Sequence, residues 1–278
     1  MKNILIPTDF SVVANHALDV ALKFAQRFKA EVHLLSCTVL PDEWEKLSEQ
    51  EKFGFLEIQA VLENISEKFD QLKKQHPDVT FHTSFGGGSL VNGIQHYIDS
   101  HEIDFIVIGS HGNSGHNDLL IGSNTQKVIR SIHRPILVVK QPIDSINFKK
   151  VVFASSFNLE DKEPFLQFRD IMAPFEPEIF LVTVDTPFAF GTMPNITAAA
   201  MEDFKKLASP YTCHPYIYKN SNIEQGIREF SGDIGAELIA ISNHNRSSLK
   251  RMLVGSTVEA LINYAALPVL CIDYEEGT

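Results

Sequence analysis

The chain contains one pattern twice. Asn3-Ile4-Leu5-Ile6-Pro7-Thr8-Asp9-Phe10-Ser11 returns 147 residues later as Lys150-Val151-Val152-Phe153-Ala154-Ser155-Ser156-Phe157-Asn158. Each block is an apolar strand, then small polar residues, then Phe and a helix-capping residue. The same offset pairs Glu31-Val32-His33-Leu34-Leu35 with Glu178-Ile179-Phe180-Leu181-Val182. Further on the offset is 133. It pairs Gly93-Ile94 with Gly226-Ile227, Asp104 to Ile108 with Glu237 to Ile241, Leu120 to Ser123 with Leu253 to Ser256, and Arg134 to Val138 with Leu267 to Cys271. The first copy is therefore 14 residues longer, between its second and third strands. Ordered agreement of this kind predicts two homologous domains, 1–142 and 147–278, joined near Gln141 to Asn147.

Each copy alternates strand with helix. In the first, Ile4 to Pro7 is a short buried strand, and Ser11 caps a helix carrying Ala14, Ala17, Leu18, Ala21, Leu22, Ala25 and Phe28 at helical spacing. Val32 to Cys37, Val79 to Ser84, Phe105 to Ile108 and Ile136 to Val139 are the next strands. Helices fall over Ile58 to Leu72, Leu90 to Ser100 and Thr125 to Ile132. Apolar strands between helices indicate parallel sheets covered on both faces. The expected class is α/β, with two doubly wound, Rossmann-like domains of five parallel strands each. The last strands, Ile136 to Val139 and Val269 to Ile272, are apolar.

Composition excludes several functions. The 278 residues carry 24 basic and 35 acidic side chains, a net charge of −11, and show no basic stripe. Such a field repels nucleic acid and anionic lipid. No apolar run approaches the ~18 residues of a membrane span. The opening Met1 to Asp9 is too short and too soon interrupted for a signal peptide. The expected location is the cytoplasm. Cys37, Cys213 and Cys271 are odd in number and widely spaced, so they read as small buried residues.

Ligands of open parallel sheets bind at the carboxyl ends of the strands. Three segments of the first copy should meet there: Pro7-Thr8-Asp9, Cys37, and Ile108-Gly109-Ser110-His111-Gly112 with its continuation to Gly122-Ser123-Asn124-Thr125. Gly109 and Gly112 allow close backbone approach. Gly122-Ser123 opens a helix, whose N-terminal N–H groups favour an anion. Ser123 and Thr125 add hydroxyls. A phosphate-loop lysine is absent, and Gly86-Gly87-Gly88 lacks the dinucleotide spacing. From spacing alone the glycines read either as turn residues or as a phosphate cradle aided by a divalent cation. No zinc-type Cys/His spacing, nucleophile elbow or triad appears. His111 and His116 read as exposed loop residues or as neighbours of phosphates or a metal.

Gly109-x-x-Gly112, nine residues, then Gly122-Ser123 resembles the G-2x-G-9x-G-[S/T] signature of the universal stress protein (UspA-like) family. The opening Ile4 to Ser11 and the ending Arg134 to Val139 resemble it too, and the likeness spans nearly the whole chain, twice. The resemblance implies a tandem pair packed about a pseudo-two-fold axis, with the apolar last strands at sheet edges and paired with each other. It also implies ATP bound in the first copy with Mg or Mn. Asp9, beside Pro7 and Thr8, would contact the adenosine. Cys37 and Ile108 would line the adenine pocket. Gly109, Gly112, Gly122, Ser123, Asn124 and Thr125 would surround ribose and phosphates.

In the second copy Ser156, Ser242 and Asn245 replace Asp9, Gly109 and Gly112, and only Gly255-Ser256 survives. One nucleotide per chain is expected. The leading function is an ATP-binding stress-response or signalling protein acting through an unknown protein partner, with a homodimer as a further assembly. The alternatives are a slow ATPase or ATP-dependent transferase, and a nucleotide-free scaffold that binds a protein or an apolar small molecule, motivated by the apolar Phe188 to Met193 stretch.

Overall fold

A computed structural model describes residues 1–38, 40, 44, 47–112, 121–143, 145–187, 194–242 and 257–273. Asn245, His116, Gly255, Ser256 and the Phe188–Met193 stretch lie outside the described residues. The first half runs β1 (Asn3–Pro7), α1 (Val12–Phe28), β2 (Glu31–Thr38), α2 (Glu49–Lys52), α3 (Leu56–Gln75), β3 (Phe81–Gly87), α4 (Leu90–Ser100), β4 (Phe105–Gly109), α5 (Ser123–Ser131) and β5 (Ile136–Val139). The second runs β6 (Lys150–Ala154), α6 (Lys162–Met172), β7 (Glu178–Asp185), α7 (Pro194–Leu207), β8 (Cys213–Lys219), α8 (Ile223–Asp233), β9 (Leu238–Ser242), a helix over residues 257–264, and β10 (Val269–Ile272).

All ten strands form one sheet in the order β3-β2-β1-β4-β5-β10-β9-β6-β7-β8. Pairing is parallel within each half. At the centre β5 and β10 run antiparallel, with Leu137 opposite Leu270. Those two leucines are repeat equivalents, so the pseudo-two-fold axis passes between them. The doubly wound expectation holds, as does the pairing of the last strands.

Alternation along each strand divides the core. Ile4, Ile6, Val32 and Leu34 face one layer with α1 and α3, while Leu5 and Leu35 face the other with α4 and α5. The second half repeats this with α6 and α7 on the first side and α8 on the second. Both layers continue across the β5–β10 seam. Among the described residues, no helix is long and apolar enough to cross a membrane.

Local chemistry sets the element ends. The Ser11 hydroxyl accepts from the Ala14 N–H at 3.2 Å, and the Ser89 hydroxyl from the Asn92 N–H at 3.2 Å, starting α1 and α4. The repeat is also visible in the backbone. Phe10 and Phe157 are both left-handed at φ 58° and 57°, and Lys29 and Glu176 at 53° and 49°. Thr8 Oγ1 and Ser155 Oγ stabilise the first pair by accepting from the N–H groups of Phe10 and Phe157 at 3.0 and 2.9 Å.

β3 runs later than the sequence pattern, from Phe81 rather than Val79 and past Ser84. β3 reaches Gly87, because Gly86 and Gly87 pair with Cys37 and Thr38. The glycines are needed there for space. A Cβ on Gly86 would lie 2.7 Å from the Cys37 sulfur, and one on Gly93 only 2.5 Å from it. The glycine run thus accommodates a cysteine. α5 begins at Ser123 with Gly122 at its N-cap position, as the Gly122-Ser123 pair predicts.

Across the seam, Lys140 Nζ donates to the Asn263 carbonyl at 2.5 Å, and His133 Nδ1 lies 2.9 Å from Asp273. Arg130 Nε donates to Glu259 at 2.6 Å. On the first face, the fully buried Phe24 of α1 packs on Phe105 of its own half, and on Phe148 and Phe175 beyond it, at 5.2, 5.9 and 5.3 Å between ring centroids. Arg27 adds a hydrogen bond to the Pro174 carbonyl and lies 4.9 Å from the Phe175 ring centroid.

Candidate functional site

β1 delivers Pro7, Thr8 and Asp9 to the carboxyl edge of the sheet. Pro7 and Thr8 are buried, and the Thr8 N–H extends the parallel ladder to the Leu35 carbonyl at 2.9 Å. Asp9 emerges into solvent, where its Oδ1 accepts from the Ser11 N–H at 3.0 Å. Gly112 lies against the same carboxylate, and a Cβ on residue 112 would overlap Asp9 Oδ2. Two residues 103 positions apart are therefore brought together as a fitted pair.

The other glycines have different neighbours. A Cβ on Gly109 would meet the Val13 backbone oxygen at 3.0 Å, so this glycine lets β4 end against the start of α1. A Cβ on Gly122 would sit 3.2 Å from His111 Cα. The Gly122 N–H closes the loop on the Ser110 carbonyl at 2.8 Å. Thr125 is buried and donates its hydroxyl proton to the Gly109 carbonyl at 3.0 Å, tying α5 to the end of β4. Ile108 is buried in the second core layer. Ser123 and Asn124 are exposed at the first turn of α5, where no side chain caps the helix. His111 is half-buried, with Nδ1 3.0 Å from Ser110 Oγ.

A cavity of about 430 Å³ opens beside Asp9 and Cys37, lined also by Phe10, Ser36, Thr38, Asn64 and Lys68. The glycine loop is not among the described residues that line it. The Lys68 ammonium lies 4.9 Å from the Phe10 ring centroid and supplies positive charge at this cavity. Sequence reasoning missed Lys68, because only packing of α3 brings it to Phe10. The Cys37 thiol is pushed up to about 11 by burial and stays protonated, a packing group rather than a nucleophile.

The matching place in the second half is different. Its cavity, about 210 Å³, is lined by Ser156, Phe157, Asn158, Lys162 and Asp203 among others. The ring pair Phe10–Phe69 at 5.5 Å corresponds to Phe157–Phe204 at 5.1 Å. The residue just before the second ring is Lys68 in one half and Asp203 in the other. Ser156 leaves no strand-end carboxylate there. Instead the buried Asp161, from the start of the helix, accepts from the Asn158 N–H at 2.9 Å.

The sequence profile described as the universal stress protein family matches residues 1–140 and again 147–273. The chain belongs to the universal stress protein family. It is 34% identical over 149 residues to universal stress protein MJ0531 of Methanocaldococcus jannaschii, covering 51% of this chain and 83% of that protein. It is 32% identical over 165 residues to universal stress protein MJ0577 of the same organism, covering 50% and 95%. A solved universal stress protein from Archaeoglobus fulgidus superposes over 98% of both chains with TM-score 0.71 at 20% identity, a likeness of fold. In this universal stress protein chain, the single-length relatives each account for about half.

A second polar group lies at the opposite, amino end of β2. His33 is buried, with Nδ1 2.8 Å from Tyr97 Oη and Nε2 3.3 Å from Asn3 Oδ1. Asn3 Nδ2 donates to the Glu102 carbonyl at 2.7 Å, which orients its oxygen toward His33. Nε2 therefore carries the proton, and Nδ1 accepts from the tyrosine. Burial, then the neighbouring His82 and His101, lowers the His33 pKa to about 4, against a smaller opposing pull from Glu31. Tyr97 is raised by the same burial. The unfolded chain takes up the His33 proton near pH 6.5 and the native chain only near 4. Stability from this group is complete above pH 6.5 and is lost as the pH falls toward 4. With chelator present, the native chain should lose about 2 kcal/mol more than His33→Phe between pH 7.5 and 4.5. Urea denaturation at the two pH values measures this, and parallel losses would refute it.

Proposed function

We propose that the first half, residues 1–142, binds an adenine nucleotide, with ATP and Mg or Mn as the preferred form, and that the second half, residues 147–278, serves as a pairing or regulatory domain without a site of its own. The observation that carries this reading is the contrast between equivalent cavities. The first has the Asp9 carboxylate seated on Gly112, open volume, and the Lys68 cation. The second has Ser156, about half the volume, and Asp203 paired in its lining with Lys162. Each lining carries one cation and one carboxylate, so the contrast lies in the room available and in the strand-end carboxylate that only the first half keeps. Asp9 suits the donor groups of a ribose, since a carboxylate only accepts hydrogen bonds. The uncapped first turn of α5 suits phosphate through its N–H groups and the exposed Ser123 hydroxyl.

Binding without rapid turnover fits this site. No phosphate-loop lysine precedes α5, and the sequence offers no evident base to orient an attacking water. The nucleotide would act as a signal, changing which protein surface is presented to a partner in the cytoplasm. Calorimetry of the full chain with ATP and magnesium tests the proposal. One site per chain is expected. Asp9→Ala should weaken it about tenfold, the loss of roughly one charge-assisted hydrogen bond. Two sites, or affinity untouched by Asp9→Ala, would overturn the assignment. Steady phosphate release abolished by Asp9→Ala would move the reading to an ATPase.

A further inference from the structure

We infer that Glu31, His33 and His82 form a zinc site at the amino end of β2 and β3, remote from the proposed nucleotide site at the strands' other end. Parallel pairing sets the geometry. His33 and His82 are direct register partners on neighbouring strands, and Glu31 precedes His33 by two residues on the same face. The three donor atoms all lie within 4.8 Å of one another. His82 Nε2 and Glu31 Oε2 are 2.6 Å apart, and the two imidazole rings stack at 4.6 Å between centroids.

A tetrahedral zinc with bonds of 2.0–2.1 Å needs donors about 3.3 Å apart. The Glu31–His82 pair must open slightly and a His33 ring nitrogen, which we take to be Nε2, must close in; the stacked rings lie only 21° apart in plane, so the exposed His82 must also turn for both lone pairs to converge on one ion. Glu31 and His82 are about half exposed and His33 lies beneath them at 5% exposure. An ion would enter from solvent and keep water at its fourth position. Two imidazoles and a carboxylate are the donor set of an open zinc site. The neutrality of His33 at physiological pH leaves a lone pair available.

The surroundings provide the orientation such a ligand requires. When Nε2 turns to zinc, the imidazole proton moves to Nδ1. Tyr97 Oη then changes from donor to acceptor across the same 2.8 Å contact. The bond given up is the long 3.3 Å contact to Asn3. No net proton leaves His33 in this exchange.

The repeat supplies an internal control. The second half keeps the surface pair, with His214 Nε2 2.9 Å from Glu178, and keeps the register, with His214 opposite residue 180. That residue is Phe180, stacked on His214 at 5.2 Å. A glutamate–histidine pair alone is thus the fold's ordinary surface ornament, and the buried third nitrogen is what the first half adds.

The test is calorimetric titration of the chelator-stripped full chain with zinc alone, without nucleotide. Saturable uptake of one zinc at micromolar or tighter affinity is expected. His33→Phe, which copies the second half, and the exposed His82→Gln should each weaken that site by about 100-fold or more. His214→Gln should leave it unchanged. Cobalt in place of zinc should give the visible absorption of a four-coordinate site, lost in His82→Gln. Absence of saturable uptake, affinity indifferent to His82→Gln, or an equal loss from His214→Gln would overturn the inference. Because His82 is exposed, its variant keeps the test decisive even if His33→Phe folds poorly.

Discussion

Gly112→Val is expected to lower ATP affinity by about 100-fold, equivalent to about 2.7 kcal/mol. The reason is local. Residue 112 has no room for a Cβ, because the Asp9 carboxylate occupies that space. A valine must displace the carboxylate Oδ2 and so strain the Oδ1 hydrogen bond to the Ser11 N–H, and its branching restricts the backbone at residue 112. The effect should depend on Asp9. In an Asp9→Ser background the clash disappears, so Gly112→Val should then cost little further stability or affinity. Calorimetry and urea denaturation over the four-member cycle measure the coupling. Additive effects would show that Gly112 and Asp9 act separately. In the second copy the carboxylate and the glycine are replaced together, by Ser156 and Asn245.

Phe24→Ala should destabilise the whole chain by about 3–5 kcal/mol. Phe24 is fully buried and touches aromatic rings from both sides of the seam: Phe105 before it, and Phe148 and Phe175 after it. Truncation removes the ring's burial and leaves a cavity that three stiff neighbours cannot close. Urea unfolding followed by fluorescence and circular dichroism gives the change. Because the lost contacts join the halves, the two probes should report one common transition shifted to lower denaturant. A shift below 1 kcal/mol would mean that this cluster is dispensable.

Much of the fold could be read from the chain alone. Strands buried on both faces appear as continuous apolar runs, and the capping residue Ser11 marks the start of α1. Internal comparison found the repeat, and the apolar last strands, read with the family resemblance, pointed to the central seam at β5 and β10. What escaped depended on side-chain depth or on register between distant segments. Gly86 looked like loop material because nothing local reveals that Cys37 needs its space. Thr125 looked like a phosphate donor, and its proton is committed to the Gly109 carbonyl. Lys68 lies on a polar helix face whose proximity to Phe10 follows only from packing. His33 and His82 are 49 positions apart, and only parallel pairing sets them side by side.

The β5–β10 seam has a consequence for how such a molecule can change. In a symmetric dimer every substitution appears twice and must suit both environments. Joined in one chain, the copies can be edited singly. Position 140 is Lys and its equivalent, 273, is Asp; each reaches across the seam to a different residue, Asn263 and His133. No pair of identical subunits could carry a cation and an anion at one equivalent position. Fusion therefore frees each copy to change without the other, and lets an inherited symmetry carry two different sets of side chains.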